Sequence, residues 1–166
     1  MAELTPLERL QPCLLDRLTD DEPEKSDESR NQRVISSQRY KRGVLRDLEW
    51  LLNTSAHLPE EGKNKFELSE YPHAYRSVLN FGSRQLCGML APNVSELERQ
   101  LLEVIQLFEP RILRNSLTVT AAMDHQSIAF EIQGEIWANP LPEHLFIKTK
   151  LDLETGQYSS GGTADG

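Results

Sequence analysis

The period of the apolar residues changes at one proline, and this change constrains the fold more than any other feature. Before Pro110, apolar residues recur at spacings of three and four, which is typical of a helix with one buried side. That stripe consists of Val94, Leu97, Leu101, Val104, Ile105 and Phe108. Pro110 ends the helix, because proline lacks a backbone N–H and disfavours helical angles in the residue before it. Beyond it apolar and polar residues alternate, which predicts strands.

The alternating part predicts an antiparallel meander. The stretches "DHQS", "NPLP" and "ETGQ" are turn-like and separate three strands and a short terminal strand near Tyr158. The residues expected to point inward are Leu117, Val119, Ala121, Met123, Ile128, Phe130, Ile132, Ile136, Leu145, Ile147, Leu151 and Leu153. One sheet face is therefore apolar, and the helices that precede it should cover it. The predicted fold class is α/β, of the α+β type, with N-terminal helices packed on one face of a small antiparallel sheet.

The opposite sheet face is polar, and it carries two aromatic residues. If the second hairpin pairs Trp137 with Phe146, then Glu135 faces Lys148, and the two aromatic rings lie together. Lys150 points out on the same side. Two interpretations of this patch remain open, which are local packing and contact with a partner protein.

The sequence also predicts two helices that precede the helix ending at Pro110, and the N-terminal cap of that helix. In 34–54, one side is apolar and the other side is basic, and Ser36 or Ser37 can cap the start. The apolar side consists of Tyr40, Val44, Leu45, Leu48, Leu51 and Leu52, and the basic side of Arg39, Lys41, Arg42 and Arg46. We interpret the basic side as solvated or as facing an acidic partner. Pro72 and Gly82 bracket a short helix, and Ser95 with Glu98 fits a capping box for the helix that ends near Pro110.

The chain divides into three predicted parts. Residues 1–30 hold leucines at helix-like intervals followed by a charged stretch without apolar residues, which predicts a flexible segment. Its leucines form either a docking helix for a partner or a short helix packed on the chain's own domain. Residues 31–158 form the folded domain, and residues 159–166 are predicted to be disordered.

Composition excludes several classes of function. The 166 residues carry a formal net charge of -8, which disfavours nucleic acid as the main partner. The sequence lacks an apolar run that could span a bilayer and a recognisable signal peptide, so a cytoplasmic location is expected. The two cysteines, Cys13 and Cys87, are interpreted as free thiols, and the four histidines have no metal-like spacing with them. No cofactor, metal or small-molecule substrate is predicted.

The stretch Glu109–Pro110–Arg111 places an acid at the predicted helix end, where its charge opposes the helix dipole. The arginine can bind the helix-end carbonyls or pair with a carboxylate. An acid in an unfavourable position beside an arginine is compatible with an internal structural role and with a functional one.

The chain resembles the TssE-type baseplate family of bacterial type VI secretion systems, which is shared with the wedge proteins of contractile phage tails. The resemblance runs from "LLDRL" at Leu14 to "LDLETGQ" at Leu151. The segments between them that carry it are "RVIS", "VLRDLEWLLNT", "YPHAYRSVLNFG", "FEPRIL" and "FEIQGEIWANPLPEHLFIKTK". Their order and spacing make the resemblance specific, although the Glu-Pro-Arg match alone is weak.

This resemblance implies a structural subunit that contacts other baseplate wedge subunits and the sheath. Glu109, Pro110 and Arg111 match the family's motif for holding the wedge core, and a sheet edge would receive sheath strands. Trp137, Phe146, Lys148 and Lys150 complete the predicted partner-binding residues, with Lys148 and Lys150 also placed to shield an edge from a wrong partner.

Members of this family are often labelled lysozyme-like, which raises the alternative of a peptidoglycan hydrolase. Such an enzyme usually needs two carboxyl groups, one of them protonated in an apolar site. Glu131 and Glu135 lie on the polar sheet face, and Arg111 favours the ionised form of Glu109. The sequence also has no nucleophile elbow or phosphate-binding glycine loop. We therefore predict a protein that is not an enzyme, with a soluble adaptor that binds one partner as a further alternative.

Overall fold

The structure is a computed structural model that describes residues 10, 12–19, 24, 35–56, 70–83, 93–124, 127–138 and 142–160. Its helices are α1 (Leu14–Leu18), α2 (Ser37–Asn53), α3 (Pro72–Tyr75) and α4 (Val94–Phe108), with a 3-10 turn at Val78–Asn80. Its strands are β1 (Thr118–Asp124), β2 (Ser127–Ile136), β3 (Glu143–Asp152) and β4 (Tyr158–Ser160). Cys87, most of the predicted linker, parts of two predicted turns and residues 161–166 lie outside the described residues.

The described strands form an antiparallel sheet in the order β1-β2-β3-β4, so the predicted α+β class and meander are confirmed. Alternation places Ile128, Phe130 and Ile132 of β2 inward, each at most 1% exposed. The apolar face packs against the helices, with α4 next to β1 and α2 next to β4. At the β4 side, the Phe130 and Tyr158 ring centroids are 5.9 Å apart.

The apolar stripe predicted for α2 is confirmed. Tyr40, Val44, Leu48, Leu51 and Leu52 are buried, and Leu45 is partly buried against the same core. Ser36 caps the helix, because its hydroxyl accepts the backbone N–H of Arg39 at 3.2 Å.

The capping box predicted for α4 is wrong. The helix begins at Val94, and Asn93 is its N-cap, with the side chain accepting the backbone N–H of Glu96 at 3.4 Å. Ser95 therefore lies inside the first turn, where its hydroxyl is past the cap position. Glu98 instead accepts the backbone N–H of Ala121 in β1 at 2.7 Å.

The register predicted for the second hairpin is also wrong. Phe146 lies opposite Gln133, and Lys148 opposite Glu131, whereas the prediction placed Phe146 opposite Trp137. The last pair of the hairpin is Ile136 with Glu143, so six residues connect the two strands. The observed register differs from the predicted one by four residues, and an even shift leaves every side chain on the same sheet face, so the apolar alternation fits both registers.

Gly82 joins the segment after α3 to the end of α2. The predicted helix over this stretch is shorter, since α3 covers one turn, with Pro72 at its start, and a 3-10 turn follows. Gly82 has a φ of 123°, and a Cβ there would lie 2.2 Å from the carbonyl oxygen of Thr54. The next residue, Ser83, donates its N–H to the same oxygen at 2.8 Å and its hydroxyl to Leu52 O at 2.7 Å. A glycine is what allows this approach of two backbones.

Candidate functional site

The segment after α4 is held between a helix and the sheet. Glu109 is the C-cap of α4, and its N–H donates to Ile105 O at 2.9 Å. Pro110 follows and is exposed. The chain then runs beside the end of β2, where Leu113 donates its N–H to Glu135 O at 2.8 Å. Together with the bond from Trp137 to Arg111, this pairing leaves the three-residue motif little freedom to move.

The carboxylate of Glu109 is buried and bound by its own motif. Glu109 is 3% exposed, and the Arg111 Nε lies 2.6 Å from its Oε1. The Arg111 Nη2 donates to the other carboxylate oxygen, and the Arg111 backbone N–H donates to Oε1 at 3.2 Å. This bidentate, charge-assisted contact offsets the unfavourable interaction of the carboxylate with the negative end of the helix dipole. Of the two roles predicted for the arginine, the structure shows the carboxylate pair.

The motif belongs to a larger chain of charges. Arg111 Nη2 also donates to Asp47 Oδ2 at 2.6 Å, and Asp47 Oδ1 accepts Arg46 Nη2 at 2.8 Å. Arg46 Nη1 in turn donates to Asp16 of α1 at 2.6 Å. Positive and negative groups therefore alternate from α1, through α2, to the motif. We call this set the charge ladder, and its members are Asp16, Arg46, Asp47, Arg111 and Glu109.

The surroundings of Arg111 and Asp16 stabilise the charges of these two groups. Burial opposes the charge of Arg111, but the hydrogen bonds and negative charges of Glu109 and Asp47 outweigh burial and raise the pKa of this guanidinium above its ordinary value. Burial likewise opposes the charge of Asp16, while hydrogen bonds from Cys13 and Arg46 lower the pKa of this carboxyl. Each charge thus meets an opposite one, as partly buried charges require.

Cys13 and Asp16 fasten α1 to this ladder. The Cys13 sulfur caps α1 by accepting the Asp16 N–H at 3.5 Å, and its thiol donates to Asp16 Oδ2 at 2.9 Å. Nearby, Leu10 packs on the core and accepts the Ile35 N–H at 3.1 Å. The leucines of α1 itself face outward, since Leu14 and Leu18 are 71% and 74% exposed.

An open cleft of about 310 Å³ borders the motif. Its apolar walls include Leu15 of α1, Trp50 of α2 and Phe108 of α4, and Glu109, Pro110 and Arg111 line it too. Trp50 is 51% exposed beside the cleft. The cleft therefore combines exposed apolar surface with a fixed guanidinium.

The other predicted partner-binding residues lie in two places. Phe146, Lys148 and Lys150 share the polar side of β3, with the Lys148 Nζ 5.4 Å from the Phe146 ring centroid. Lys148 pairs with Glu131 at 2.8 Å, and Lys150 with Asp124 at 2.9 Å. Trp137 is 55% exposed and lies past the end of β2, where its backbone is tied to Arg111.

Asp16, Arg46 and Asp47 were missed in the sequence. Arg46 was assigned to the solvated basic side of α2, yet its side chain is only 33% exposed and binds both aspartates. Because Arg46 comes two residues after Val44 and two before Leu48, it lies on the side of α2 opposite the buried stripe, so the helical pattern gave no signal for this contact.

Among the described residues, no group of three or more His, Cys, Asp or Glu side chains is placed to hold a metal ion. A search of the same residues for a helix long and apolar enough to cross a bilayer also finds none.

Comparison with protein-family models gives a match. The family model described as "Baseplate wedge protein gp25" matches residues 38–141, which is more than half of the chain. The matched range includes Asp47, the Glu109–Pro110–Arg111 motif and Trp137, but neither α1 nor β3. No curated protein matches the chain significantly.

Proposed function

The chain belongs to the baseplate wedge protein gp25 family, and we propose that it is a cytoplasmic subunit of a type VI secretion baseplate that binds the wedge core and helps to start sheath assembly. Membership of the family gives a structural role in a phage-tail-like baseplate. The type VI setting rests on the sequence resemblance, which extends beyond the matched range into "LLDRL" and "LDLETGQ".

The observation that carries the proposal is the buried, fully bound carboxylate of Glu109. It holds Arg111 in one orientation while Pro110 stays exposed beside it. A motif that is already rigid loses little conformational entropy when it binds a partner. Glu109 therefore positions the motif, and Pro110 and Arg111 make the contact.

Arg111 keeps one donor for this contact. Its Nε and Nη2 are engaged by Glu109 and Asp47, whereas its Nη1 makes no hydrogen bond to any of the described residues. The side chain is 18% exposed. A carbonyl or carboxylate of the wedge core would complete the fork, and arginine is a common anchor in interfaces.

The cleft and α1 enlarge this surface. Leu15, Trp50 and Phe108 give it an apolar wall, and the outward Leu14 and Leu18 continue it. An apolar centre with an aromatic residue and an arginine is the usual make-up of a protein interface. On this proposal, α1 is both fastened to its own domain through Asp16 and available to a partner through its leucines.

The sheet supplies the second surface, for the sheath. Phe146 and Lys148 lie in the part of β3 that does not pair with β4, and Lys150 lies in the part that does. The ion pairs of Lys148 with Glu131 and of Lys150 with Asp124 hold the two lysines along the polar face. Trp137 is placed nearer the motif, so we assign it to the wedge-core surface.

The same geometry supports a role that is not catalytic. A glycosidase acid must carry a proton, while Glu109 accepts three N–H groups from Arg111 in its buried site. Glu131 lies against Lys148, and Glu135 faces His144 across an exposed pair. Both glutamates lie on the polar sheet face with side chains 42% and 38% exposed, whereas a catalytic acid of this kind sits in an apolar pocket.

Copurification with the baseplate subunits of the same system tests this proposal. Pro110→Asp is expected to weaken capture roughly thirtyfold, since an unpaired charge at an interface anchor costs about 2 kcal/mol. Ser95→Asp is the matched control, because it adds the same charge at the other end of α4, about 20 Å away, where an acid suits the helix dipole. Equal capture of both variants and the wild type would contradict the proposed surface.

A further inference from the structure

The backbone of each edge strand directs every second N–H and C=O away from the sheet, and these groups can pair with another chain. The observed bonds show which residues these are. Ala121 of β1 and Tyr158 of β4 point outward, because each donates its N–H to a helix side chain. In β3, the Asp152 N–H donates to Gln157 O at 3.0 Å, so the even-numbered residues of β3 face the β4 side.

The outer edge of β1 is occupied at its middle. The Ala121 N–H donates to Glu98 Oε1 of α4 at 2.7 Å. A strand added there would have to displace a carboxylate, and its own carbonyl oxygen would take the place of that negative group. Charged side chains on an edge are a known obstacle to strand pairing.

The outer edge of β4 is occupied more completely. Asn53, the last residue of α2, accepts the Tyr158 N–H at 2.9 Å and donates its amide to Tyr158 O at 3.3 Å. One side chain thus makes both bonds that a residue of a neighbouring strand would make.

The outer edge of β3 is different. Strand β4 pairs only with Thr149, Lys150 and Leu151, and β3 begins six residues earlier, at Glu143. The outward backbone groups of His144, Phe146 and Lys148 have no hydrogen-bond partner within the described part of the chain. From His144 to Lys148 these positions span about 14 Å of strand.

We propose that Glu98 and Asn53 are edge caps that imitate a strand, and that they direct strand addition by another chain to His144, Phe146 and Lys148 of β3. The fitting partner is an extended segment whose alternate residues are apolar, so that they continue the row of Leu145 and Ile147. Only the identification of this segment as a sheath strand rests on the proposed function, since the caps are properties of the isolated chain.

Amide hydrogen exchange, followed by NMR on the full chain, tests the caps. In the wild type, Ala121 and Tyr158 are expected to be protected, and His144, Phe146 and Lys148 to exchange fast. Glu98→Ala is expected to speed exchange at Ala121 about tenfold, the effect of one lost hydrogen bond. Glu96→Ala is the control, because Glu96 binds Arg99 and Gln100 on the helix surface. The buried Ile132 amide reports any change in global stability in either variant.

Unchanged exchange at Ala121 in Glu98→Ala would overturn the assignment of Glu98 as a cap. If the amides of His144, Phe146 and Lys148 exchange as slowly as that of Ala121 in the wild type, the proposal that this edge of β3 is open would be overturned. Both results are independent of any partner, so they are distinguishable from a failure of the proposed function.

Proline substitution tests the edge itself. Phe146→Pro removes an outward donor on β3, and Met123→Pro removes one on the β1 edge, in positions where a solvent-facing proline is tolerated. Copurification with sheath subunits is expected to fall at least about tenfold for Phe146→Pro and to stay near wild type for Met123→Pro. Should Phe146→Pro fail to fold, Lys148→Pro makes the same test. An equal loss of copurification in Phe146→Pro and Met123→Pro would overturn the proposed preference for the β3 edge. A wild-type protein that captures no sheath subunit would contradict the proposed function alone.

Discussion

Replacing Arg111 with alanine is expected to lower the free energy of unfolding by about 3–5 kcal/mol, the range for removing one partner of a buried ion pair. Glu109, which is 3% exposed in the wild type, would lose its guanidinium partner and keep only the backbone N–H of residue 111, at the helix end where its charge is least favourable. Asp47 would lose its link to the motif as well. Equilibrium unfolding in urea at neutral pH measures the change.

The double variant Glu109→Gln/Arg111→Ala is the control for this mechanism. Removing the buried charge together with its partner should recover at least about 1 kcal/mol relative to Arg111→Ala, because contacting residues do not contribute additively. If the free energy of unfolding of Arg111→Ala lies within about 1 kcal/mol of the wild-type value, then the burial of Glu109 does not depend on its ion pair with Arg111.

Replacing Gly82 with alanine is expected to cost roughly 3 kcal/mol or more. The residue has a φ of 123°, a region in which a side chain is strained by about 1–3 kcal/mol. The added Cβ would also lie 2.2 Å from Thr54 O and 2.9 Å from the Ala56 nitrogen, and these backbone atoms cannot rotate away. Thermal and urea unfolding measure the loss.

Gly134→Ala is the matched control. This glycine is also buried, but it has no positive φ. The nearest atom to an added Cβ would be the Ile112 side-chain methyl at 3.1 Å, and the nearest backbone atom, Leu117 Cα, would be at an ordinary contact distance of 3.6 Å. A side chain can shift where a backbone cannot, so the loss should be clearly smaller. Equal losses at the two positions would contradict the backbone contact at Gly82 as the cause.

The elements could be predicted because their causes are local. Alternation located β1, β2 and β3, and the stripes of α2 and α4 located the buried sides of both helices. The register of β2 with β3 could not be predicted, because a shift by four residues keeps the same side chains on the apolar face and the alternation fits both registers. The cap of α4 was misassigned because Asn93 and Ser95 are both good caps, and only the observed start of the helix distinguishes them.

The site could be located only in part from the sequence, because most of its contacts join residues that are far apart in the chain. The Glu109–Arg111 pair is visible in the sequence because its two members are neighbours. Asp47 binds the motif, and Asp16 binds Arg46, only because the helices pack together. The sequence contains many charged residues, and nothing in their spacing distinguishes these two. The side chains of Glu98 and Asn53 at the sheet edges likewise depend on how α4 and α2 lie against β1 and β4.

The central claim is that Pro110 and Arg111 form a surface for another baseplate subunit. Photo-crosslinking tests it most directly, with a photoreactive residue at position 110 in cells that assemble the whole contractile apparatus, and with position 95 as the control. We predict crosslinks from position 110 to a baseplate subunit, and few from position 95. Crosslinks from position 110 to peptidoglycan alone, or no baseplate crosslink above that control, would contradict the claim.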